Sequence, residues 1–266
     1  MQVNNDHLYF TVEEQPVFAG VLGESIHAPT HKAIVRTDTQ EVLGIHSNKY
    51  KLVKHDEVFP VVEELMHKNL DTNGMKVQDR VDHSGARVLR TYMFPEHEVA
   101  LLDNDKVALQ VRVGNSLDAS FSFCLQAGGL RFACWNGMVT GSVMSNVKRK
   151  HTQGLDIEYV LRLLNRALTD FETNGNLWER WTKTPVDEAQ ALVILTKLST
   201  SKKMLGELKL LWITNRLHLG SNAWALYNAL TEWSTHTKTK AAQGTALMQR
   251  EAKVHAVLPM LEALAA

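Results

Sequence analysis

Cysteine occurs only twice in the 266 residues, at Cys124 and Cys134, and proline only six times. Two cysteines cannot build a disulfide scaffold, so packing must hold the core, and reduced thiols in a cytoplasmic setting are expected. Net charge is lacking as well: 29 Lys and Arg balance 29 Asp and Glu. No global field then draws the protein to a polyanion, and any such site must be local. The longest apolar runs, such as 208–214, fall far short of the roughly 20 residues that span a bilayer. The opening MQVNNDHLYF is polar and lacks the order of a secretion signal. Neither a GxxxxGKS/T phosphate loop nor a GxGxxG fingerprint is present, which speaks against nucleotide hydrolysis and a Rossmann site. No cofactor is expected.

What is there is ample apolar material, 44% of the chain against 22% charged, enough for one large core or two modest ones. From Lys32 to Trp135 the dominant period is two: KAIVRTD, EVLGIHS, KYKLV, ARVLRTYMF, KVALQVRV, DASFSFCL and LRFACW read as strands. One helix interrupts them, HDEVFPVVEELMHKNL, with Val58, Val61, Val62 and Leu65 on one stripe and Pro60 expected in the first turn. After Gln153 the period becomes 3.6. Ile157, Val160, Leu161, Leu164, Leu168 and Phe171 form one stripe. A second helix opens at Thr184-Pro185 with Thr184 as cap, and NAWALYNALTEWSTH reads as a packing helix capped by Ser221. The expected fold class is α+β: an antiparallel sheet with an embedded helix, then a helical C-terminal half. Residues 1–150 would form the sheet domain and 151–266 a helical region that packs on it or binds a partner, with a hinge around 174–185.

A two-residue turn at Gly128-Gly129 would pair Leu125 with Phe132 and Phe123 with Cys134, setting the two cysteines on opposite faces. Cys134 would lie among Phe121, Phe123, Leu125 and Phe132 as a buried, unreactive thiol. Cys124 would share the other face with Gln126 and Arg131. Twelve histidines do not make a metal site, because His27 and His31 flank Ala-Pro-Thr, which cannot give the one-turn helical spacing of a zinc pair. Glu207-Leu208-Lys209 matches the tail of a nuclease motif but lies in a stretch that reads as helix. No catalytic residue is assigned, and the chain reads as a non-enzyme.

Three consecutive cations, Lys148, Arg149 and Lys150, form the one basic island, on a loop between sheet and helices, and no carboxylate occurs from Ala119 to Leu155. On the strands, Arg112 and Arg131 with Trp135 alternate with apolar residues. If that face is solvated, it joins the loop in one positive surface that holds a nucleic-acid backbone and stacks bases. The alternative is an ordinary polar sheet face.

Four segments, LGIHSNKYKLVKHDEVF (43–59), VGNSLDASFSF (113–123), LRFACWNGMVTG (130–141) and NAWALYNALTEWSTH (222–236), together resemble a phage- and plasmid-borne family of unknown function, the one numbered 932. The resemblance runs from about Lys32 to His236 and implies no catalytic residues. At the fold level, hairpins followed by a long helix are similar to the core of Rad-type single-strand annealing proteins, by analogy only. Two functions are expected from this. One is a phage or plasmid DNA-metabolism protein that binds single-stranded DNA and promotes annealing as a homo-oligomer in the host cytoplasm, without a nucleotide cofactor. The other is an interaction protein that occupies a host protein with its helical half.

Overall fold

In a computed structural model the chain is described over residues 8–21, 23–102, 105–131, 136–139, 147–149, 157–236 and 243–266. Three strands, β1 (Val12–Val21), β2 (Glu24–Arg36) and β3 (Glu41–Ser47), form one antiparallel sheet. Helix α1 (His55–Asn69) follows, then β4 (Lys76–Asp82), β5 (Arg87–Leu102), β6 (Asp105–Ser116) and β7 (Phe123–Arg131) in sequential antiparallel order. Two short strands, β8 (Asn136–Val139) and β9 (Val147–Arg149), both pair with β7. The C-terminal half is helical: α2 (Ile157–Lys183), α3 (Glu188–Leu198), α4 (Lys202–Leu219), α5 (Ala223–His236) and α6 (Gln243–Leu264). The chain is α+β, sheets first and helices second.

Helix α1 begins at His55, so Pro60 falls in the second turn rather than the first. Both Pro60 and Asp56 are exposed, so the carbonyl that loses its helical donor faces water. Val58, Phe59, Val62 and Met66 bury the inner face, and the Glu57 carboxylate accepts from the Lys54 N–H. KYKLV contributes no strand; it is the approach to α1.

The expected Gly-Gly hairpin is not formed. β7 runs straight through Gly128 and Gly129, pairing Gly114 with Cys124 and Val107 with Arg131. The reason is space: a Cβ on Gly129 would stand 2.3 Å from Val107 Cγ1 and 2.7 Å from Trp178 Cη2. Glycine is there so that the Trp178 ring can lie on the strand. β7 pairs onward with β8, Arg131 opposite Asn136, and Phe132, Ala133, Cys134 and Trp135 lie outside the described residues.

This register sorts the sheet into two faces. One carries Val88, Arg90, Tyr92, Val107, Leu109, Val111, Val113, Leu125, Ala127 and Arg131. Trp178 of α2 lies against it, and its apolar members join those of α1, α2, α5 and α6 in one buried cluster. The other face carries Thr91, Gln110, Arg112, Cys124 and Gln126, all buried, and α6 reaches it through Glu251. A smaller cluster of Val12, Ile34, Leu43, Tyr50, Ala86 and Leu117 seats the three-stranded sheet.

The expected hinge at 174–185 lies mostly inside α2, where Trp178 and Trp181 are buried. Asp187, not Thr184, caps α3: its carboxylate accepts from the Gln190 N–H at 2.8 Å, while the Thr184 hydroxyl donates back to the Arg180 carbonyl. Likewise Asn222 rather than Ser221 caps α5, accepting from the Ala225 N–H at 2.9 Å.

Candidate functional site

Arg112 and Arg131 do not share a surface. They stand on opposite faces of the sheet, both buried and each paired with a carboxylate. Arg131 donates from Nε to Asp105, whose second oxygen accepts from Trp224 Nε1 at 2.9 Å, tying the end of β7 to α5. Arg112 donates to Glu251 of α6. A guanidinium so placed has spent its charge inside the molecule. The alternation that suggested a solvated face is real, but α6 covers that face.

Of the basic island, Val147, Lys148 and Arg149 form an edge strand rather than a loop, with Lys148 opposite Cys124 and Arg149 opposite Phe123. Lys150 and Trp135 lie outside the described residues. Cys124 is buried against Gly114, where a Cβ would come within 2.7 Å of its Sγ.

Several buried polar groups are fully occupied by structure. Arg90 is bidentate to Asp79 at 2.7 and 2.9 Å and reaches Glu63 of α1 at 2.9 Å, while Tyr92 donates to the same Glu63 oxygen. Burial pushes the Tyr92 hydroxyl well above its ordinary pKa, so it stays a donor. His55 bridges the Gly85 carbonyl and the Asn115 side chain at 2.9 and 3.0 Å. These groups dock α1 on the sheet. Around Arg112 the accounting is looser: Arg112 Nε, Gln126 Oε1, Glu251 Oε2 and His255 Nδ1 have no partner. Burial holds the His255 imidazole below its ordinary pKa and outweighs the pull of Glu251. Among the described residues no group of three or more His, Cys, Asp and Glu could hold a metal ion. No described helix is long and apolar enough to cross a membrane.

The surface that sequence reading missed is on the helices. Of eleven exposed large apolar side chains among the described residues, five sit on α3 and α4: Leu192, Val193, Leu210, Ile213 and Leu217. Helix α4 has two apolar stripes. Met204, Leu208 and Trp212 point inward, and Leu210, Ile213 and Leu217, 44 to 77% exposed, lie on the opposite side. A helix apolar on both sides is a legible signal, since a surface helix needs only one such stripe. Furrows flank it, one toward α3 lined by Leu192, Trp212 and Ile213, the other toward α5 lined by Leu210, Leu211 and Trp233. Lys197, Lys202, Lys203 and Lys209 accompany this surface without ion pairs among the described residues, and Arg216 lies over the Trp212 ring.

Residues 42–258 match the family described as a domain of unknown function (DUF932). No curated protein and no solved structure matches the chain.

Proposed function

We propose that this chain, which belongs to the DUF932 family, works by binding a partner protein through its helical half rather than by catalysis. One observation carries the reading: Leu210, Ile213 and Leu217 are exposed along one side of α4, and exposed Leu192 of α3 shares a furrow with Ile213. A monomer gains nothing from such a patch, and large contiguous ones mark interaction surfaces. The test is cross-linking in the producing cell through a photoreactive side chain at position 217, with and without Leu210→Asp. A defined product lost in L210D supports the reading. Products indifferent to L210D, or none, remove it.

A second reading, single-stranded DNA binding by an oligomer, rests on a different surface. The segment from Ala119 to Leu155 carries no carboxylate, and β9 brings Lys148 and Arg149 to the edge of the sheet. If Lys148, Arg149 and Lys150 contact phosphates, their triple Ala variant loses roughly two units of the log-log salt slope, about 0.7 per contact. Arg112 and Arg131 drop out of this reading because their charges are internally paired. Absence of any oligonucleotide binding near 50 mM salt, where a slope of about two leaves affinity roughly sixteenfold higher than at 200 mM, would end it.

A further inference from the structure

The exposed side of α4 has a finer pattern. Gly206, Leu210, Ile213 and Leu217 follow one another at spacings of four, three and four residues. That is the a/d seam of a coiled coil, and it faces outward. With Leu210 at a and Ile213 at d, the flanking g positions are Lys202, Lys209 and Arg216, all cationic, and the e positions are Glu207 and Thr214. Gly206 adds an independent sign. It lies inside a helix, exposed, where a Cβ would meet nothing within 4 Å. No contact among the described residues requires glycine there, whereas close approach of another backbone does.

We infer that the outer seam of α4 docks an acidic amphipathic helix of a partner protein, its apolar side chains interleaved with Leu210, Ile213 and Leu217 and its carboxylates facing Lys202, Lys209 and Arg216. This rests on the partner-binding reading above and names the chemistry of that partner. A second copy of the chain fits less well. Antiparallel α4 pairing sets the basic g positions against one another, and parallel pairing offers them one carboxylate, Glu207.

The experiment uses the full chain and two helical peptides of about three heptads, each with Leu at a and d, one with Glu and one with Lys at e and g. Binding is followed by titration and by hydrogen exchange of α4 amides. The Glu peptide should protect α4, lose affinity with salt, and bind at least about tenfold more tightly than the Lys peptide. Lys202→Glu with Lys209→Glu should reverse the preference, Leu210→Asp should abolish binding, and Gly206→Ala should weaken it. Equal binding of both peptides overturns the acidic chemistry but leaves the docking face. If neither protects α4, the docking seam falls, while the cross-linking test decides the partner-binding reading separately. Self-association that L210D abolishes assigns the seam to a second copy, and cosedimentation with anionic phospholipid vesicles but not the Glu peptide assigns it to a membrane; either overturns the proposal.

Discussion

Asp105 serves two buried donors at once, the guanidinium of Arg131 and the indole N–H of Trp224. Asp105→Ala takes an acceptor from each, and the expected loss is about 3–5 kcal/mol in urea unfolding. The double variant D105A/R131M should recover part of it, because the buried cation that loses the Asp105 carboxylate is then gone. Gly129→Ala is expected to cost about 1–3 kcal/mol, since Val107 and Trp178 occupy the space its methyl needs. His255 sets a pH dependence. Its folded pKa is lowered by burial, so as pH falls the unfolded chain takes up the proton first. Its contribution is present above the unfolded value of about 6.5 and is lost as pH drops toward the folded value; His255→Gln should flatten thermal stability across that interval. At this scale the sequence was readable only in part. Alternation in KVALQVRV identified two faces correctly, but whether Arg112 meets water depends on Glu251, 139 residues away. No local pattern encodes that distance.

Among the elements, the central strands and α1 were legible because their apolar periods are local. The β1–β2 arm was not: VEEQPVFAGV and ESIHAPTHKA carry prolines and no alternation. Its outer part, from Gln15 through Gly20 and from Glu24 through His31, is exposed except for half-buried Val17 and Ala28. Pro16 and the acids beside it discourage edge-to-edge pairing. Amides of this arm should exchange with solvent far faster than those of β5 to β7, read by native-state hydrogen exchange. Helix α5 was recognised as a packing helix, yet Ala223 to Thr231 are buried all round, since sheet and helices enclose it. Helix α4 carries its outer seam in KKMLGELKLLWITNRLHL, where apolar residues fall on two sides and no single stripe stands out until the inward one is known. Gly206→Ala there should stabilise the free protein by about 0.5–1 kcal/mol, measured by denaturant unfolding, because glycine is a poor helix former with no steric reason in this chain.

Over the whole molecule, one buried cluster runs from Leu8 through Val107 and Trp178 to Leu261, joining sheet residues within 1–150 to helical residues within 151–266. Unfolding should be a single transition whether followed by circular dichroism or tryptophan fluorescence; two separated transitions would show independent units. The same connectivity has a consequence during synthesis. The sheet leaves the ribosome first, with Arg112 on it, but Glu251 follows 139 residues later and Trp224 trails Asp105 by 119. At about 5–20 residues per second the nascent sheet waits on the order of ten seconds for its last cover. Through that wait it presents strands, Arg112 without Glu251, and open apolar faces to solvent. A message truncated ahead of α6 should therefore yield insoluble protein, and the chain should depend on holding chaperones until α6 is free.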